Sequence, residues 1–159
     1  MMDIHAASSP IELAAVRELF LEYAASLSVD LEYQEFDEEV AALPGEYAPP
    51  RGALLLATTG THWIACVAVR PIDDEHCELK RLYVRPAARG QGLGKRLTLA
   101  AVAFARGAGY RAMRLDTLPS MTEAQRLYRQ LGFADIASYR FSPVEGNVYL
   151  ELDLTRTNA

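Results

Sequence analysis

The chain has 159 residues, a length that fits one domain (1–159) burying roughly two-thirds of the surface its unfolded form exposes. Half of the residues are hydrophobic, so a full core forms without metal or disulfide staples. A net charge of −5, from 16 basic and 21 acidic residues, argues against a general binder of nucleic acid or acidic membranes.

Residues 2 to 7 alternate weakly and predict a short first strand. Ser9 and Pro10 then set a helix start, a Ser N-cap followed by Pro at the first helical position, with Glu12 in the first turn. Leu13, Val16, Phe20, Tyr23 and Leu27 recur at three- and four-residue spacing, one face of a helix to about Ser26. A shorter helix is expected from Glu35 to Leu43, closed by Pro44-Gly45. The acidic segment from Asp30 to Glu39 reads chiefly as a solvated run. Its functional counterpart is a wall that attracts a cationic amine, with Tyr33, Phe36 and Tyr47 lining an apolar part.

Three strands follow, 53–58, 62–70 and 76–84, joined by turns at Thr59-Gly60 and Pro71–Glu75 as an antiparallel meander. Cys66 and Cys77 lie within these apolar runs without metal-ligand spacing, and read as buried reduced thiols. A helix from about Gly92 that ends at Gly107 or Gly109, a strand from Met113 to Leu118 and a helix from Met121 to Leu131 come next. Two last strands, 133–140 and 147–154, end the chain. No leader pattern is visible in MMDIHAASSP, and no apolar run approaches the ~20 residues needed to cross a bilayer, so a cytoplasmic protein without a membrane partner is expected.

The chemistry concentrates at Arg89-Gly90-Gln91-Gly92-Leu93-Gly94, between a strand signal and a helix signal. Such a turn brings unpaired backbone N–H groups to the positive end of a helix dipole, where a phosphate sits favourably. Lys80, Arg81, Arg85, Arg89, Lys95 and Arg96 cluster around it and read as a phosphate funnel, the bland alternative being a solvated surface. The glycines are spaced G-x-G-x-G, not G-x-G-x-x-G, and Lys95 is followed by Arg96 rather than Ser or Thr. Dinucleotide and P-loop readings therefore fall away.

Arg89, Gly92 and Gly94, following the strand end Leu82–Pro86, match the R/Q-x-x-G-x-G/A motif of the GNAT superfamily of acetyl-CoA-dependent N-acetyltransferases, which this chain resembles. A second segment, Gln125–Phe133 (QRLYRQLGF), resembles that family's ALYxxLGF pattern at the expected distance. The resemblance is firm from about residue 76 to 136. It implies an α+β, GNAT-like three-layer fold with a mixed, mostly antiparallel sheet, a splayed central strand pair and flanking helices.

It also implies acetyl-CoA as co-substrate and transfer of an acetyl group to a primary amine of a small molecule. Backbone groups of Leu82, Tyr83 and Val84 would bond the pantetheine arm, and the amide near Tyr83 would face the thioester oxygen. Amides from Arg89 through Gly90, Gln91, Gly92, Leu93 and Gly94 to Lys95 would wrap the pyrophosphate. Tyr128 would protonate the departing thiolate, its bland alternative being a core aromatic. Glu78 is the candidate base, set against a salt-bridged strand residue; His76 is weaker and reads also as a hairpin cap. Met121 stands where the family often has an Asn that bonds pantetheine, with Ser120 or Thr122 as substitutes. The 139–147 stretch is expected to close the acceptor pocket, and family analogy adds a homodimer through an edge strand. A non-catalytic acyl-CoA sensor and a protein N-terminal acetyltransferase are the competing readings.

Overall fold

Period-two alternation in the strands sends neighbouring side chains to opposite faces and so creates two cores. In a computed structural model, which describes residues 2–156 apart from the side chains of Glu32 and Tyr33, all strands join one sheet. The strands are β1 (Met2–Ala6), β2 (Ala53–Thr59), β3 (His62–Pro71), β4 (His76–Val84), β5 (Ala112–Thr117), β6 (Ala134–Asp135) and β7 (Val148–Asp153). Their order is β1-β2-β3-β4-β5-β7-β6, and among the described residues only the β4–β5 pair is parallel. Parallel neighbours need a crossover, which α3 (Leu93–Gly107) supplies.

Helices α1 (Pro10–Ser26) and α2 (Phe36–Ala41) cover one face. There Val16, Leu19, Phe20, Phe36 and Val40 pack on Leu54, Leu56, Cys66, Ala68 and Tyr83. Helices α3 and α4 (Thr122–Gln130) cover the other, with Leu93, Leu97, Ala101 and Tyr128 against Leu55, Val67, Cys77, Leu79, Met113 and Leu150. Leu54, Leu55, Leu56 and Ala57 of β2 thus divide alternately between the two clusters. This is the expected three-layer α+β arrangement. Both cysteines are free and sealed between layers, Cys66 at 1% and Cys77 at 0% exposure.

The start of α1 is fixed by a capping box: Ser9 Oγ accepts the Glu12 N–H, and Glu12 Oε1 accepts the Ser9 N–H, each at 3.1 Å. Two expectations change. The second helix is shorter than 35–43, because Glu35 takes a left-handed conformation (φ 55°) and Pro44 follows closely. The strand expected over 133–140 shrinks to Ala134–Asp135. Past Ile136 the chain leaves the sheet edge, and Tyr139 and Arg140 reach across to Glu78 on β4. The side chain of Tyr33 lies outside the described residues.

Candidate active site

The β4–β5 ladder holds only at His76–Ala112, Cys77–Met113 and Glu78–Arg114. Beyond it the strands part, while β5 stays paired with β7 as far as Thr117–Val148. A bulge in β4 accompanies the parting. Ala68 pairs with Lys80 and Cys66 with Tyr83, so Arg81 and Leu82 together oppose the single residue Val67. Arg81 takes a φ of 60°, and this left-handed residue is anchored by its own side chain. Its guanidinium donates to Glu39 Oε2 at 2.9 Å and Oε1 at 3.1 Å and to Gln34 at 2.9 Å, and lies over the Phe36 ring.

The extra residue changes which face each side chain takes. Uninterrupted alternation puts Leu82 and Val84 with Glu78 and Lys80. In the structure Cys77 and Leu79, then Leu82 and Val84, face the α3–α4 layer, whereas Tyr83 faces α1.

A groove runs between Leu82–Val84 of β4 and Ser120–Ala124 at the start of α4. It continues into a cavity at the splay, since Tyr23, Leu82, Met121 and Ala124 line both. At the outer end of the groove stands Arg89, whose Nε donates to the Val84 carbonyl at 3.0 Å. The glycine turn follows. Gly90 (φ 82°) and Gly92 (φ 76°) are left-handed, and Gly92 is the N-cap of α3. The first helical bond of α3 runs from the Arg96 N–H to the Gly92 carbonyl, so the amides of Leu93, Gly94 and Lys95 open the helix as first-turn donors. Gly94 lies in the first turn of α3, where a Cβ would make ordinary contact with Leu127 at 3.6 Å.

Tyr128 lines the cavity from the α4 side, its ring 5.6 Å from that of Phe133. Burial raises the proton affinity of its hydroxyl above the usual phenol value. Tyr83 borders the groove, and its hydroxyl donates to Glu22 at 3.3 Å. Met121 lines both groove and cavity, with its sulfur 3.6 Å from Thr117 Oγ1, and Ser120 and Thr122 border the groove beside it.

Glu78 is fully buried and does not line the cavity. Its Oε1 accepts from Arg70 Nε at 3.0 Å; its Oε2 accepts from Tyr139 at 2.7 Å and pairs with Arg140 at 2.6 Å. Burial alone would raise its carboxyl, but Lys80, Arg140, Arg70 and the Tyr139 bond together hold it below the usual range. His76 caps the β3–β4 hairpin through Asp73, 2.8 Å from Nδ1.

The basic cluster of the sequence divides. Lys80 and Arg81 lie buried at the cavity, not at the glycine turn. Arg85 pairs with Glu22 at 2.6 Å and Glu18 at 3.1 Å. Arg89, Lys95 and Arg96 remain exposed at the turn. The acidic segment is likewise not a uniform wall, since Glu39 is engaged by Arg81.

Sequence reasoning missed Lys80, Asp116 and Asn147 as cavity residues. Asn147 Nδ2 donates to Ser142 at 3.2 Å and Asp116 at 3.5 Å, and its buried Oδ1 has no partner among the described residues. The 139–147 stretch thus does contribute a wall, through Asn147. One signal for Lys80 was available: adjacent cations in an apolar strand cannot both reach solvent by simple alternation.

With this geometry in place, comparison with known proteins is informative. Residues 13–133 match the acetyltransferase (GNAT) family, and the chain belongs to that family. An uncharacterized N-acetyltransferase of Schizosaccharomyces pombe is 37% identical over 158 residues, covering 98% of this chain and 96% of that protein. A GNAT-family acetyltransferase structure from Staphylococcus aureus superimposes with a TM-score of 0.80 at 16% identity, covering 97% and 99% of the two chains. YncA of Salmonella typhimurium, solved with its cofactor acetyl-CoA, gives 0.70 at 20% identity, covering 99% and 96%. The chain is thus an acyltransferase by family. Among the described residues no helix is long and apolar enough to cross a membrane, and no cluster of potential metal ligands occurs.

Proposed function

We propose that the protein transfers the acetyl group of acetyl-CoA to a primary amine of a small molecule, by direct attack in a ternary complex. The observation that carries this reading is the continuity of the groove along β4 with the Tyr128-lined cavity at the splay. Unpaired edges of Leu82–Val84 suit the amides of a pantetheine arm, and the open first turn of α3 suits a diphosphate. Arg89 exchanges the Val84 carbonyl for the diphosphate as the cofactor enters. Met121 supplies apolar contact where an amide side chain is common, leaving Ser120 and Thr122 for polar contact.

In this reading a backbone amide near Tyr83 faces the thioester oxygen and stabilises the negative charge that develops there, an effect worth ~3 kcal/mol for one donor. Tyr128 donates its hydroxyl proton as charge gathers on the leaving sulfur. Glu78 fixes the β4 end of the acceptor chamber through Arg70, Tyr139 and Arg140.

Release of the CoA thiol, followed across a panel of amines and a set of peptides, tests the reading. Turnover with small amines supports it. Tight cofactor binding without release under any acceptor identifies a sensor, and release only with peptides identifies a protein N-terminal acetyltransferase.

A further inference from the structure

An ammonium cannot attack a thioester until it loses a proton, so the reaction proposed above needs a base on the acceptor side. Glu78 is ill placed for that duty. Both of its oxygens are held by charge-assisted or hydroxyl bonds, and Arg70 and Arg140 oppose its protonation even when Lys80 is neutral. Two residues further on, Lys80 lines the cavity itself and is only 5% exposed.

Lys80 Nζ donates to Gln34 Oε1 at 2.8 Å, the same oxygen that accepts from Arg81. Among the described residues no carboxylate lies within ion-pairing distance of Nζ. The charged and titratable groups that face it come from each packed element: Arg81 and Glu78 on β4, Arg70 on β3, Asp116 on β5, Tyr23 on α1 and Tyr128 on α4. Glu39 of α2 is spent on Arg81, and Glu78 on its own two arginines. Burial, reinforced by Arg81 and Arg70 and only partly offset by Glu78 and Asp116, brings the Lys80 ammonium down to about 7.

The gap in the sheet separates two chemical sides. Tyr128 stands with the α3–α4 layer, whereas Lys80, Asp116 and Asn147 line the chamber roofed by the α1–α2 connection and the 139–147 stretch. We propose that Lys80, as a neutral amine, is the general base that takes a proton from the acceptor's ammonium, on the opposite side of the gap from Tyr128. The assignment rests on the acetyl-transfer reading.

The step balances. The ammonium gives one proton to Lys80; the freed nitrogen lone pair forms the C–N bond as the C–S pair departs onto sulfur. The second proton lost by that nitrogen offsets the one that sulfur takes through Tyr128. Amide, CoA thiol and one proton result, and the proton leaves Lys80 for water.

Lys80→Arg and Lys80→Met test this, because arginine keeps the charge but cannot accept a proton at neutral pH. Both variants are expected to bind acetyl-CoA with native affinity by calorimetry. Both should lose about 100-fold or more in kcat/KM at pH 7. Their profiles should lose the ascending limb near pH 7 and rise instead with the acceptor's own ionisation. Lys80→Arg with a native profile overturns the assignment. So does Lys80→Arg retaining activity that Lys80→Met loses, which makes Lys80 an anchor for an anionic group of the acceptor. A 15Nζ NMR titration of the unaltered protein separates this inference from the reading beneath it. Absence of transfer with every amine refutes that reading, whereas a Lys80 that stays ionised from pH 6 to 9 refutes the base.

Discussion

Tyr128 answers two opposed demands. Its burial keeps the phenol protonated over the physiological range, yet makes it a reluctant donor to a thiolate of reference pKa ~8.5. In the proposed reaction it would therefore act late, through a hydrogen bond that strengthens as the C–S pair moves onto sulfur. Tyr128→Phe removes the hydroxyl and keeps the ring against Phe133. Steady-state kinetics should show kcat lower by about 100-fold, with no pH trend between 6 and 9, and calorimetry an unchanged cofactor affinity. A native kcat would remove the role. The place of Tyr128 in the fold was legible because a local pattern, QRLYRQLGF, surrounds it. Glu78 was legible as a position but not as an environment. Its partners Arg70, Tyr139 and Arg140 come from β3 and from a stretch about sixty residues further along, and no local signal links them.

At the level of elements, the sequence carried most of the architecture. Periodicity located α1, α3 and α4 to within a residue or two, and the Ser9–Glu12 box marked one boundary outright. The strand over 133–140 failed because side-chain bonds to Glu78 outcompete a ladder at the sheet edge. The bulge was legible only as an option, since a single inserted residue leaves the hydrophobic pattern almost intact while reversing the phase of all that follows. Gly92 is the element-level test of the cofactor cradle. A Cβ there meets nothing within 4 Å, so Gly92→Val acts through its left-handed backbone alone. The strain of about 1–2 kcal/mol should lower Tm by roughly 2–8 °C. Misaligned amides at the start of α3 should weaken acetyl-CoA binding at least ~10-fold by calorimetry. Undiminished binding would place the diphosphate elsewhere.

On the scale of the whole molecule, one buried cation couples folding to pH. Lys80 holds its proton less tightly in the folded chain than an unfolded lysine does, about 7 against ~10.4. Between those values the unfolded chain binds the additional proton, so stability rises with pH across roughly 7 to 10; below 7 both states are protonated and the penalty is constant. Lys80→Met should flatten that rise and stabilise the neutral-pH protein by a few kcal/mol, on the order set by the shift. Urea midpoints from pH 6 to 10 would measure it, and an unchanged slope would mean that the amine is solvated. The two core layers carry a different consequence. Cys66 and Cys77 are enclosed between them, and burial pushes the Cys77 thiol up to about 12 and Cys66 higher. The native enzyme should therefore be blank to a colorimetric sulfhydryl reagent such as Ellman's. Every equivalent of chromophore in a turnover assay then counts one liberated coenzyme, and two more per chain emerge only when guanidinium opens the layers.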